Sequence, residues 1–258
     1  MDLRITGKTV VITGASAGIG FACAQGFAQE GCKITLVSSS EQKLEEAARR
    51  LKAEHGTQPE IYPTDLSDAS ALASLASRVC AADILVNNAG SIPGGGLEEV
   101  DDAKWRASWE LKLFGYINLC RLALPAMISR RSGVVLNIIG IAGAAPRYDY
   151  LCGSTANAAL IAFTKAVGAH SAVDGVRVLG LNPGPTQTER LVKLYKSRAA
   201  ARFGDESRWS ELLTHLPFGR PTHAEEIADL AVYLTSERAS YLSGVVIDAD
   251  GGAMYGSA

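Results

Sequence analysis

Cysteine is sparse and scattered. The five thiols, Cys23, Cys32, Cys80, Cys120 and Cys152, form no close pairs. That excludes a disulfide framework, offers no metal-ligand spacing, and predicts small buried thiols in a reducing cytosol. No uninterrupted apolar run approaches the roughly 18 residues that a bilayer-spanning helix needs. The first stretch, MDLRITGKTVVITGA, lacks the charged-then-apolar layout of a secretory signal. A basic excess is missing too. The 25 Lys and Arg face 27 Asp and Glu, for a formal net charge of −2. There is thus no electrostatic footprint for nucleic acid. Charged residues make up only 20% of the chain, somewhat below the ~25% usual in soluble proteins. That points to much buried surface, including contacts between subunits. The expectation is a cytoplasmic protein with neither a nucleic-acid nor a membrane partner.

What is present is a regular alternation. Hydrophobic residues reach 47% of 258, enough for a sizeable core in one undivided unit over 1–258. Strand candidates are TVVITGA (9–15), KITLVS (33–38), EIYPTDL (60–66), DILVNNA (83–89), GVVLNIIG (133–140), VRVLGLNPG (176–184) and GVVIDADGG (244–252). They are rich in Val and Ile without in–out alternation, as strands covered on both faces should be. Helix-period segments lie between them, near 18–30, 41–55, 69–81, 101–131, 150–172 and 223–236. Alternation of this kind predicts an α/β fold with a doubly wound parallel sheet between two helical layers. The polar stretch 186–221 interrupts the rhythm before the last strand. Ligands in such sheets bind beyond the carboxyl ends of the strands, so this stretch is expected to be a lid.

TGASAGIG (13–20) follows the first strand and opens a helix. Gly14 permits a tight turn, and Gly18 and Gly20 let backbone and helix approach a pyrophosphate at the positive helix end. Ser16 and Ile19 belong to the same loop. NNAG (87–90) closes the fourth strand on the same side of the sheet.

With these motifs the chain resembles the short-chain dehydrogenase/reductase family over essentially its whole length. The others are TDL with Asp65 after strand three, NPGPTQT (182–188) after strand six, and GVVIDADGG near the end. The resemblance implies a Rossmann-like seven-stranded sheet, a homotetramer or homodimer, and a small-molecule substrate. It implies that Asp65 and Leu66 contact the adenine side, and that Asn88, Ala89 and Gly90 line the cofactor. It also implies that Pro183, Gly184, Thr186 and Thr188 cradle the nicotinamide.

At the end of strand two an acid would hold the ribose hydroxyl of NAD, whereas a basic group favours the 2′-phosphate of NADP. Here Ser38 and Ser39 stand at that place, with no carboxylate to repel a phosphate. NADP is therefore the expected cofactor. No metal ligation is expected.

The resemblance also implies a catalytic Asn, Ser, Tyr and Lys, and all four positions depart. GVVLNIIGIAG puts Gly140 at the serine. ANAALIAFTKA puts Asn157 at the lysine and Gly153 at the tyrosine. WELKLFGYINL puts Lys112 at the asparagine. Asn and Lys have thus exchanged places. Lys112 is positioned to send an ammonium into the same pocket, or else faces solvent. Two glycines open volume where side chains would react. Tyr150, three residues before Gly153, could refill it, or serve only as a packing tyrosine. Arg147 could hold an anionic substrate. Trp105, Trp109 and Phe114 read as core or subunit contact.

Residues 189–202 carry Arg190, Lys193, Lys196, Arg198 and Arg202 against Glu189. This is either a solvated helix face or an attractor for a carboxylate, phosphate or acyl-CoA substrate. Two functions remain open at this stage. One is an NAD(P)-dependent oxidoreductase acting on a carbonyl or alcohol through a rearranged site of Lys112, Tyr150 and Asn157. The other is an NADP(H)-binding protein without dehydrogenase activity, acting as a partner subunit, a sensor or a non-redox enzyme.

Overall fold

Runs of Val and Ile suit a pleated backbone that can be covered on both sides, and strands form where those runs lie. A computed structural model describes residues 1–68 and 70–256. The strands are β1 (Thr9–Thr13), β2 (Lys33–Ser38), β3 (Glu60–Pro63), β4 (Ile84–Asn87), β5 (Gly133–Ile138), β6 (Val176–Pro183), β7 (Thr186–Gln187), β8 (Thr222–His223) and β9 (Val246–Ala249). Seven of them form one parallel sheet in the order β3-β2-β1-β4-β5-β6-β9. The short pair β7 and β8 forms a separate two-stranded ladder. Strand order reverses between β1 and β4, which makes their carboxyl ends the switch point of the sheet.

The helices are α1 (Gly18–Gln29), α2 (Glu41–His55), α3 (Leu72–Ala81), α4 (Asp102–Trp109), α5 (Gly115–Ser129), α6 (Leu151–Ser171), α7 (Glu189–Phe203) and α8 (Ala224–Thr235). They pack on both faces of the sheet. Phe21, Phe27, Leu44, Leu51 and Ile227 of α1, α2 and α8 meet Ile12 and Leu36 on one face. On the other, Leu75, Val79, Leu119 and Met127 of α3 and α5 meet Val11, Leu85 and Val135. The expected three-layer α/β sandwich is therefore present.

Three differences from the sequence reading have physical causes. β3 and β9 are not covered on both faces. They are the two edges of the sheet, and their residues are half-buried or exposed. The helix expected near 69–81 begins at Leu72, and its expected first residue, 69, lies outside the described residues. Residues 257–258 lie outside them as well. The helix expected over 101–131 is one rod from Asp102 to Ser129, but its middle, Glu110–Phe114, is wound as a π-helix. That 28-residue rod is long and apolar enough to cross a bilayer by length and composition, although no uninterrupted apolar run suggested it. Here it packs against α3, β5 and α6.

Segment 186–221 is structured. Thr188 caps α7 by accepting the Leu191 N–H, and a 3₁₀ stretch, Glu206–Leu213, packs back on that helix.

Candidate active site

The turn after β1 is built for close approach. Gly14 and Gly18 have φ of +63° and +55°, a region that disfavours side chains. A Cβ on Gly20 would lie 2.3 Å from the Gly14 carbonyl oxygen and 2.5 Å from Asn88 Nδ2. Hydrogen bonds stitch this turn to the end of β4. Asn88 Nδ2 donates to the Thr13 and Gly14 carbonyls at 3.0 and 3.2 Å. Thr13 Oγ1 accepts the N–H groups of Asn88 and Ala89. The first turn of α1 has neither a capping side chain nor an acidic residue. By contrast α2, α4 and α7 carry the side-chain caps Ser40, Asp101 and Thr188. The free N–H donors of α1 therefore suit an external anion.

Beside this turn runs a cleft of about 630 Å³, lined by Gly14, Ser38, Thr64, Gly90, Leu111 and Arg190 among others. Its volume is that of a small-molecule site. Ser39, Asp65, Leu66 and Ala89 also border it. Ser16 Oγ and Ser38 Oγ lie 3.1 Å apart, so the phosphate turn and the end of β2 share a hydroxyl cluster. Asp65 spends one oxygen on the N–H and hydroxyl of Ser67. Leu66 is buried in the core, and Ile19 packs on the opposite core. Thr64 Oγ1 is buried without a partner, which marks a polar position in the cleft wall that the TDL motif did not single out.

The segment after β6 passes close by. Gly184 N–H donates to the Ala249 carbonyl, and Thr186 Oγ1 donates to the Gly184 carbonyl. The Thr188 methyl would stand 3.1 Å from a Cβ on Gly18. Pro183 ends β6, so residues 183–188 lead from the sheet across the phosphate turn.

Of the residues that the resemblance aligns with the tetrad, Lys112, Gly140 and Asn157 come together at the end of β5. The Lys112 stem runs beneath Gly90, where a Cβ would meet Lys112 Cδ at 2.9 Å. Its Nζ donates to the Ile139 carbonyl at 2.6 Å, so the solvent-facing alternative does not hold. Burial, with Arg190 nearby, pushes the Lys112 ammonium down to about 8. The next residue, Gly140, has φ +133°, and a Cβ there would lie 2.9 Å from Asn157 Nδ2. The Asn157 amide thus abuts Gly140. Its Oδ1 is buried and unpartnered. Gly143 lies so close to the Asn157 backbone that a Cβ would come within 2.7 Å. Gly140 N–H is 3.4 Å from Asn182 Oδ1, and Asn182 in turn donates to Asp248. Asn182 sits inside the NPGPTQT motif but was not singled out there.

Tyr150 is not on the helix, as the three-residue spacing suggested. It precedes α6 with φ −144° and ψ 40°. Its ring nevertheless lies against Gly153. A Cβ on Gly153 would overlap Tyr150 Cε1 and Cζ at 2.1 and 2.2 Å. Ile92, Val100, Cys152 and Ala156 form the wall it packs against, with Trp105 and Trp109. Phe114, by contrast, is exposed. Burial raises the Tyr150 phenol, and Arg190 pulls it back down.

Arg147 is not free for a substrate, because its guanidinium grips Asp149 through two hydrogen bonds. The basic side chains of α7 lie in two settings. Lys193 and Lys196 border an open groove of about 640 Å³ beside Thr188. Arg190, although exposed, is anchored inward, its Nη2 donating to the Ile92 carbonyl at 2.5 Å.

Fold and cleft together define a dinucleotide-binding oxidoreductase scaffold. A family model described as short chain dehydrogenase matches residues 8–199, and the chain belongs to the short-chain dehydrogenase/reductase family. Among curated relatives, 2,3-dihydro-2,3-dihydroxybenzoate dehydrogenase of Bacillus subtilis is 31% identical over 98% of both chains. Among solved structures, L-sorbose reductase from Gluconobacter frateurii, complexed with NADPH and L-sorbose, superposes with a TM-score of 0.93. It is 33% identical and both chains are fully covered. YwfH, an NADPH-dependent reductase involved in bacilysin biosynthesis, reaches 0.89 at 27% identity, covering 98% of this chain and 100% of its own.

Proposed function

We propose that this protein is an NADP(H)-dependent oxidoreductase that reduces a carbonyl, or oxidises the corresponding alcohol, through a rebuilt proton-transfer site. The observation that carries this reading is the Tyr150 ring standing where a residue-153 side chain would be. The nicotinamide group fits the chain: the glycine turn is shaped for a close-approaching backbone, the first turn of α1 lacks an acceptor, and Thr64 Oγ1 is unpartnered in the same cleft. When bound, it supplies or accepts the hydride.

The chain's own residues manage the proton. In the reducing direction Tyr150 Oη gives its proton to the carbonyl oxygen as the hydride reaches the carbonyl carbon. The phenolate left behind regains a proton from solvent. Lys112 holds the carbonyl of residue 139 at the end of β5 and contributes positive charge beneath Gly90. Asn157 fills the serine position with an amide able to donate to the substrate oxygen. Gly14, Ser16, Gly18, Ile19, Gly20, Asn88, Ala89 and Gly90 hold the pyrophosphate side in this reading. Asp65 and Leu66 meet the adenine, and Pro183, Gly184, Thr186 and Thr188 meet the nicotinamide. Segment 186–221 closes over a substrate that carries an acid or an acyl-CoA-like group, attracted by α7. We also assign the chain to the cytosol as a single domain over 1–258 and a homotetramer or homodimer, in keeping with its free cysteines and low charge.

The test is a carbonyl and alcohol panel with NADPH and NADP⁺, including acyl-CoA thioesters. Turnover of at least one substrate should fall at least about tenfold in Lys112→Ala, the lower range for a group assisting proton transfer. An ammonium with a value near 8 loses its proton as pH rises through that value. Wild-type rates should therefore decline above about pH 8, and the variant should lack that limb. Tight NADPH binding with no turnover across the panel would instead make the protein a non-redox NADP(H) binder.

Cofactor choice has its own test. Ser16, Ser38 and Ser39 offer hydroxyls and no carboxylate at the end of β2. Ser38→Asp should weaken NADPH at least about tenfold and spare NADH, because an acid there repels the 2′-phosphate. Isothermal titration with both cofactors reads the switch.

A further inference from the structure

We propose that Arg190, in the first turn of α7, is the cation that faces the Tyr150 phenol and acts on the reaction through it. The proposal rests on Tyr150 being the proton-transferring group, as argued above. It assigns Arg190 the part of setting the charge at that phenol.

Geometry comes first. Asn157 is neutral, and its amide points at Gly140, on the β5 side of the site. Lys112 is tied to the Ile139 carbonyl on the same side. Neither delivers a charge to the residue-153 position that Tyr150 occupies. Arg190 reaches the wall behind Tyr150 instead. Its Nη2 is fixed on the Ile92 carbonyl, and the buried side chain of Ile92 belongs to the wall on which the Tyr150 ring rests. The same arginine borders the cofactor cleft beside Gly90 and Leu111. One of the five guanidinium N–H groups is committed to Ile92, leaving others for a phenolate or a bound oxygen.

The charged and titratable neighbours point the same way. On Tyr150, burial raises the phenol, Arg190 lowers it, and Cys152 of α6 raises it. Tyr116 of α5 is itself pushed up by burial and by Tyr150. Arg190 is thus the cation that pulls this phenol down. It also bears on Lys112, helping to hold that ammonium down. A consequence follows for assembly. The cation arrives on a helix of the 186–221 segment, so the proton-transfer site is complete only when α7 is docked.

The experiment needs no substrate. The near-ultraviolet phenolate signal of the wild type, minus that of Tyr150→Phe, isolates ionisation of Tyr150 in the cofactor-free protein. Arg190→Gln should raise the midpoint by roughly one pH unit, the lower end of what an adjacent charge does. Arg190→Lys should restore much of the shift, with an unchanged thermal melt. If Arg190→Gln does not fold, the lysine variant and Arg190→Met are compared in its place. A midpoint unmoved in folded variants overturns the proposal. So does an Arg190→Gln defect confined to the KM of carboxylate-bearing substrates, which would make Arg190 a substrate anchor. The outcomes separate from those of the reductase reading. A moved midpoint without turnover keeps the Arg190–Tyr150 pairing and removes the reductase. Turnover with an unmoved midpoint does the reverse.

Discussion

Tyr150→Phe is expected to cut turnover at least about 100-fold, the usual weight of a positioned general acid, while NADPH affinity and thermal stability stay near wild type. Phenylalanine keeps the ring in the pocket of Ile92, Val100, Trp105 and Trp109 and removes only the hydroxyl. No hydrogen bond to that hydroxyl is recorded among the described residues, so the fold loses little. Gly153→Ala attacks the same point from the other direction. Its added carbon would fall about 2.1 Å from Tyr150 Cε1, so the ring must leave. A comparable loss of turnover is expected, with Tyr150 itself intact. Steady-state kinetics with the best substrate of the panel measure both. If Tyr150→Phe retains near-wild-type kcat, the phenol is a packing group and proton transfer belongs elsewhere.

Gly20→Ala should abolish measurable cofactor binding, with an affinity loss of at least about 100-fold, and should lower thermal stability. The added Cβ would sit 2.3 Å from the Gly14 carbonyl oxygen and 2.8 Å from its carbon. Backbone there cannot yield cheaply, because Asn88 Nδ2 is bonded to the Thr13 and Gly14 carbonyls. Moving the turn also breaks the link between β1 and β4. Overpacking of this kind costs about 1–3 kcal/mol of stability. The loss in affinity is larger because the helix N-terminus and the phosphate turn separate. Fluorescence titration with NADPH and a thermal melt read the two effects. Wild-type affinity in a folded Gly20→Ala protein would mean that the cofactor does not use this turn.

The seven-stranded sheet was legible because most of its strands advertise themselves locally as short runs rich in Val and Ile, several of them ending in a glycine or asparagine turn. Strand edges were not, since EIYP and VIDA read as covered until the neighbours on each side are known. The departures from the family's tetrad pattern were a reading of the sequence as well, because register from both flanks aligns Gly140 and Gly153 with the positions that the resemblance assigns to the serine and the tyrosine. What fills them was not. Tyr150 could be placed near the gap by spacing alone, but its ring direction depends on a non-helical backbone just before α6. Arg190 looked like one of several solvated lysines and arginines on α7. Its contact with Ile92 joins residues 98 positions apart, and no periodicity within the helix foretells where that helix will dock. Thr64 and Asn182 were missed although both lie inside recognised motifs. Their signal, a buried polar atom with or without a partner, exists only in three dimensions.

The π-wound middle of the long rod sets a phase. Such a segment holds one residue more than an α-helix needs there. Removing one residue from 110–114 would let the rod close into an unbroken α-helix, rotating α4 against α5 by about 100°. Trp105 and Trp109 would swing away from the wall that supports Tyr150, and Lys112, which lies within the segment, would lose its register toward the Ile139 carbonyl. The register of a single helix is therefore a determinant of this site, on a par with the side chains themselves.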